Sequence, residues 1–317
     1  MSQATSRPRF YINMLDWYNS QGMGNPIPDV LRTLPVKPEL ISTLVQSNVI
    51  PLPSGTNKFI ALLGHDLASS GFTFRLCYNN INTFVSHTEY INLDSSGIAT
   101  YDGFSIININ NLPDGVNNYH FNIQYPDGQA NIGSIIIGTY YDMPHNADIN
   151  LTQSREMDGI KRTRTLGGSD LINHKYHKPA MWGDLAAWEL GTTNLPDQKL
   201  SRSGRRVWDL SFSFLSGKDD VFGVNQMLST IPAVSTDVYD ADDYSNGEFT
   251  SSLLTHDNFY SQVIHKTANL PFIFQPDSST GATIDNFAIA KFDMNSFKFN
   301  QVANGIYSVQ LKIREVW

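Results

Sequence analysis

In RRVWDLSFSFLSG, residues 205–217, Trp208, Leu210, Phe212 and Phe214 alternate with Asp209, Ser211 and Ser213. A period of two sends successive side chains to opposite faces of an extended chain, so this run predicts a strand with one buried and one wet face. The pattern returns roughly a hundred residues later, where Tyr307, Val309, Leu311 and Ile313 alternate with Ser308, Gln310, Lys312 and Arg314. That second strand runs into Trp317, a large apolar residue expected to be docked and not frayed.

Working outward, further strands are expected at Leu270–Phe274, Phe287–Phe292 and Phe297–Phe299, and an aromatic-rich strand or arm at Arg9–Tyr18. Residues 22–38 carry four prolines and cannot form one regular element. Between them, Lys58–Leu63, Gly71–Tyr78, Ala99–Ile109, Asn118–Tyr125 and Asn131–Tyr140 are strand candidates separated by Gly, Asn, Asp or Pro turns, such as Pro126-Asp127-Gly128. Short strands at this spacing indicate an antiparallel β-sandwich. The expected architecture is all-β. A sandwich over residues 56–144 is inserted into a discontinuous, mainly β domain, residues 1–55 plus 145–317, with long extended arms and one or two short helices. The helical candidates are Lys218–Ile231 and His256–Thr267, the latter also readable as a strand. Residues 153–205 are Gly-, Arg- and Asn-rich with Tyr176, Trp182 and Trp188 as landmarks, and read as an extended loop or arm.

A chain of 317 residues with 41% hydrophobic and 12% aromatic content can build packed cores, and its length favours two domains. Only 16% of residues are charged, against about 25% in typical domains. The net charge of −8 argues against nucleic acid as a partner, because phosphate binding needs clustered Lys and Arg. The short basic clusters Lys161-Arg162-Thr163-Arg164 and Arg202 with Arg205-Arg206 read as solvated or inter-subunit faces. Cys77 is the sole cysteine, so no intramolecular disulfide can form. The opening MSQATSRPRF lacks the apolar core of a secretory signal, and no run reaches the ~18–20 apolar residues of a membrane span. The expectation is a protein made in a cytoplasm and not inserted in a membrane.

No arrangement of residues carries an enzyme's chemistry. His174 and His177 lie at a spacing that suits a metal, but neither an intervening Glu nor a third ligand accompanies them. Asp237, Asp240, Asp242, Asp243 and Glu248 suggest a calcium loop until Tyr244 falls on a ligand position. The His-Asp pairs at His65-Asp66 and His256-Asp257 lack an activated nucleophile and its strand-to-helix elbow. Gly167-Gly168-Ser169 lacks the spacing of a phosphate cradle. Tyr90, Tyr101, Tyr140 and Tyr141 could together form a sugar-stacking platform, although tyrosines in sandwiches more often face the core or a partner. No cofactor is expected.

The last third of the chain resembles structural proteins of tailed-bacteriophage virions. The carrying residues are Gly204–Phe214, the loop Leu270-Pro271-Phe272-Ile273-Phe274-Gln275-Pro276-Asp277, and Asn300–Tyr307 leading to Arg314-Glu315-Val316-Trp317. Such runs look like tail and baseplate components, and the strand Ile132–Gly138 is compatible with the same group. The resemblance implies a non-enzymatic virion protein, repeated around a symmetry axis and contacting copies of itself and other virion proteins. A tail or baseplate ring or adaptor subunit is the leading expectation. A host-glycan-binding sandwich and a head decoration or head–tail connector protein are the alternatives. Residues 153–205 would then be an inter-subunit arm, with Trp182, Trp188, Arg205, Arg206 and Trp317 as interface anchors, since aromatic residues and Arg dominate interface energetics.

Overall fold

The computed structural model describes residues 7–14, 39–42, 57–63, 73–78, 89–93, 98–101, 104–109, 119–124, 129–132, 134–156, 160–174, 181–182, 185–186, 205–216, 258–267, 270–278 and 287–316. Side chains are described for 7–14, 57–63, 105–108, 134, 136–156, 161–173, 205–216, 258–267, 270–278 and 287–316. The helix expected at Lys218–Ile231 and the acidic loop at 237–248 lie outside these residues.

The fold is all-β. In chain order the first strands are β1 (Arg9–Asn13), β2 (Glu39–Ser42), β3 (Lys58–Leu63), β4 (Thr73–Tyr78), β5 (Glu89–Leu93), β6 (Ile98–Tyr101), β7 (Phe104–Ile109), β8 (Tyr119–Gln124), β9 (Gln129–Ile132) and β10 (Ser134–Asp142). Then follow β11 (Thr152–Glu156), β12 (Ile160–Arg164), β13 (Asp170–His174), β14 (Met181–Trp182), β15 (Leu185–Ala186) and β16 (Arg205–Ser216). A short helix α1 winds as a π-type turn over Tyr260–Ile264 and continues through His265–Thr267. The chain finishes with β17 (Phe272–Gln275), β18 (Ala288–Phe292), β19 (Phe299–Ala303) and β20 (Ile306–Glu315).

Eleven of these strands form one antiparallel sheet in the order β11-β16-β20-β18-β17-β1-β10-β3-β7-β6, with β19 on β20 beside β18. This sheet runs across the expected boundaries at 56 and 144, because β10 pairs with β1 on one side and β3 on the other. The β1–β10 pairing is close. A methyl group built at Gly138 would overlap the carbonyl oxygen of Ile12. Within 73–124, β5, β4 and β8 form a separate three-stranded sheet, while β2 pairs with β9. The single stretch expected at Ala99–Ile109 is a hairpin of β6 and β7.

β1 lies mid-sheet and is buried on both faces. Phe10 and Ile12 face one core with Trp208, Leu210, Phe212, Phe272, Phe274, Phe292 and Leu311. Tyr11 faces the other core with Phe59, Ile106, Ile136, Tyr140, Ile273 and Ile289. α1 covers the first core with Phe259, Val263 and Ile264. Its start is capped by Asn258, whose side-chain oxygen accepts the Ser261 N–H at 2.9 Å. Burial on both faces explains why β1, β17 and β18 read as continuous apolar runs with no clean alternation.

The fully buried Tyr11 hydroxyl donates to Gln275 Oε1 at 3.0 Å. Burial pushes the phenol above its ordinary value. A raised folded-state value means that the protonated phenol contributes its full stability below about pH 10, the ordinary tyrosine value, and that this contribution is lost as pH rises through the folded one. Tyr11→Phe should flatten that alkaline loss while costing about 1–3 kcal/mol at neutral pH, where Gln275 loses its donor. Urea unfolding of both proteins across the alkaline range checks it. Parallel pH profiles would sink the assignment.

Candidate functional site

The described residues of the arm expected over 153–205 are strands and a turn. β11 adds to β16 at the edge of the sheet, in the register Thr152↔Asp209 to Glu156↔Arg205. Arg314 fixes the far end of β11 from β20, through Nε and Nη2 to Glu156 Oε2 at 2.7 and 2.6 Å. Beyond this anchor, β12 and β13 form a two-stranded hairpin in the register Lys161↔Asn173, Arg162↔Ile172, Thr163↔Leu171 and Arg164↔Asp170.

The Thr165–Ser169 turn is closed four times. Thr165 N–H donates to Ser169 O at 2.9 Å, and Gly168 N–H to Thr165 O at 2.9 Å. Thr165 Oγ1 donates to Ser169 O at 3.1 Å, and Ser169 N–H donates to Thr165 Oγ1 at 3.0 Å. Gly168 takes φ +84°, a left-handed geometry that glycine adopts without strain. Gly167-Gly168-Ser169 is therefore a hairpin tip. Leu166 stands on it completely exposed.

Every described hairpin residue except the half-buried Thr165 is exposed. A two-stranded hairpin with both faces wet is at best marginal in water, so burial against something else is its natural stabiliser. Of the large apolar side chains exposed among the described residues, the hairpin carries Leu166, Leu171 and Ile172, and Ile149, Leu151, Phe214, Leu270 and Val302 lie elsewhere.

Phe214 departs from the alternation expected of β16. Phe212 pairs with Val309 but Leu215 with Tyr307, so Ser213 and Phe214 together oppose Ser308 across a β-bulge. The extra residue turns Leu215 into the core, at 1% exposure, and leaves Phe214 76% exposed. A second bulge lies across β20, where Val302 is left over between Gln301↔Tyr307 and Ala303↔Ile306. The segment 148–151 lies along the same part of β16. Asp148 N–H donates to Ser211 O at 2.8 Å, Ser211 Oγ to Asn150 Oδ1 at 2.8 Å, and Ser213 Oγ to Asp148 Oδ2 at 2.5 Å. These bonds hold the 148–150 segment against β16 through the Asp148 and Asn150 side chains.

The residues singled out from sequence are scattered. Tyr140 and Tyr141 are 6% and 7% exposed, pointing into opposite cores, with the Arg9 guanidinium 4.4 Å from the Tyr140 ring centre. Neither can offer its ring to a sugar. Tyr90 sits opposite Cys77 in β5 and Tyr101 opposite Phe104 in β6, with side chains outside the described residues. Trp182 ends β14, its side chain likewise outside, and Trp188 and Trp317 lie wholly outside. Arg205 is half-buried. Arg206 lies inside the fold, 8% exposed, where its guanidinium meets Glu315, the Phe287 carbonyl and the Trp208 ring.

His174 ends β13, while His177, the other His-Asp pairs and Asp237–Glu248 fall outside the described residues. Among the described residues, no group of three His, Cys, Asp or Glu side chains could hold a metal, and no helix is long and apolar enough to cross a membrane. Sequence reading missed the hairpin, for which Gly167-Gly168 was the one turn signal, since the flanking Lys161–Thr165 and Asp170–Asn173 lack a period-two pattern. No family model, curated protein or solved structure matches the chain.

Proposed function

We propose that this chain is a non-enzymatic structural subunit of a tailed-phage virion, a ring or adaptor component of the tail or baseplate that assembles through its protruding arm. The observation that carries the reading is the edge strand β11 followed by a solvent-bathed hairpin, with five of the eight large apolar side chains exposed among the described residues falling within residues 149–172. A two-stranded hairpin carrying Leu166, Leu171 and Ile172 in water gains stability by burial against a partner. The position in a virion rests on the runs at Gly204–Phe214, Leu270–Asp277 and Asn300–Trp317, which resemble tail and baseplate proteins. Low charge and the predominance of strands among the described residues suit a subunit built for packing against copies. The glycan alternative is weakened by the burial of Tyr140 and Tyr141.

The test is the mass of the purified protein by light scattering, with negative-stain imaging of the same sample. Rings or larger assemblies of identical subunits are expected. A monomer at every accessible concentration would overturn the assembly reading.

A further inference from the structure

We propose that the β12–β13 hairpin is a processing site, cut after Lys161, Arg162 or Arg164 by a protease of trypsin-like specificity. The two pieces stay together as one folded, two-chain protein. This goes beyond the assembly reading and does not depend on it.

The run Lys161-Arg162-Thr163-Arg164 carries three basic residues, all exposed, and none is followed by proline. An acidic specificity pocket takes a Lys or Arg side chain, and the bond on its carboxyl side is the one cut. The protease also needs a few residues of backbone released from their pairing. β12 pairs with β13 alone, and none of the described side chains on either strand is buried. Opening such a hairpin uncovers little, which puts it at the low end of local opening free energies. The cut itself is a hydrolysis. The bond from the basic residue's carbonyl carbon to the next nitrogen breaks, and water supplies hydroxide to the carbon and a proton to the nitrogen.

The other exposed cations among the described residues are placed less well. Arg7 precedes Pro8, Arg155 lies in β11 along its pairing with β16, and Lys298 leads directly into β19. Arg206 is the opposite case, buried in β16 between β11 and β20.

The topology keeps the pieces together. β1 to β11 belong to the N-terminal piece and β13 to β20 to the C-terminal one. In the large sheet β16, β20, β18 and β17 form a block from the C-terminal piece, flanked by β11 on one side and β1 on the other. Both flanking strands come from the N-terminal piece. The cores are mixed in the same way, since Phe10 and Ile12 pack with Phe272 and Leu311, and Tyr11 with Ile273 and Ile289. The Tyr11–Gln275 bond and the Glu156–Arg314 ion pair also join the two pieces. Cutting β12 therefore severs the chain without parting any strands of the large sheet.

The test is a brief trypsin digest of the native protein, read by its new N-termini and by size exclusion in buffer and in guanidinium chloride. Termini at Arg162, Thr163 or Thr165 are expected at least about a hundredfold faster than one at Val207, because cleavage follows the population of the open form. Both pieces are expected to elute together in buffer, in equal amounts, and to separate in denaturant. Lys161→Gln, Arg162→Gln and Arg164→Gln combined should abolish those termini and leave thermal unfolding unchanged. Hairpin bonds cut no faster than the bond after Arg206, or pieces that elute apart in buffer, would overturn the proposal. Neither result alters the mass of the uncut protein, on which the assembly reading is judged.

Discussion

Glu315→Ala is expected to destabilise the protein by about 3–5 kcal/mol, because it strands a cation inside the fold. The Glu315 and Arg206 side chains are 6% and 10% exposed. Arg206 Nη2 reaches Glu315 Oε1 at 3.0 Å, Arg206 Nε reaches Oε2 at 3.2 Å, and the Arg206 backbone N–H donates to the same Oε2 at 2.9 Å. Arg206 Nη2 also donates to the Phe287 carbonyl at 2.7 Å, which ties β16 and β20 to the start of β18. Alanine removes every carboxylate contact at once and leaves the guanidinium desolvated. Replacing both partners by apolar residues, Arg206→Met with Glu315→Leu, should recover most of the loss, since a buried pair is costly mainly when half of it is missing. Urea unfolding of the three proteins measures both steps. A loss under about 1 kcal/mol for Glu315→Ala would mean that water reaches this pair as it does a surface one.

Phe10→Ala should cost a similar amount, about 3–5 kcal/mol, for a different reason. The Phe10 ring lies 5.3–6.0 Å from the centres of Phe259, Phe272, Phe274 and Phe292, which belong to α1's approach, β17 and β18. Such ring pairs add about 0.5–1.5 kcal/mol to the area they bury. A cavity at this point has walls on the approach to α1 and on two strands, and they cannot all collapse inward together. Phe214→Ala is the matched comparison. It removes the same side chain from a position 76% exposed and should change stability by no more than about 0.5 kcal/mol. Equal losses from the two substitutions would contradict the placement of the β16 bulge.

That contrast shows what the sequence reveals and what it conceals. Trp208, Leu210 and Phe212 obey the period of two and are buried as expected, as are Tyr307, Val309, Leu311 and Ile313. Phe214 obeys the same period and is exposed, because a bulge inserts a residue without altering the composition of the strand. The all-β class follows from local patterns of this kind. The strand order does not, since β1 finds its neighbours in residues 134–142 and 272–275 through pairings that no local pattern encodes. Tyr140 and Tyr141 look like surface aromatics until both sides of β10 are seen to be covered. Arg206 looked like an anchor for a neighbouring copy because a lone sequence cannot show Glu315 waiting 109 residues away. The hairpin is legible only in its turn: Gly167-Gly168 is present, but Lys161–Thr165 is wholly polar and Leu171 and Ile172 are adjacent, so neither strand shows a period of two.

The central place of β1 also dictates an order of events during synthesis. Phe10, Tyr11 and Ile12 leave the ribosome long before either strand that will flank them. The Tyr11–Gln275 bond spans 264 residues, and the Arg9–Asp142 pair spans 133. At ~5–20 residues per second, the strand waits roughly 13–50 s for its second neighbour. Closure of the sheet around β1 therefore waits tens of seconds after the strand itself is made, and until then its apolar side chains have no sheet to cover them.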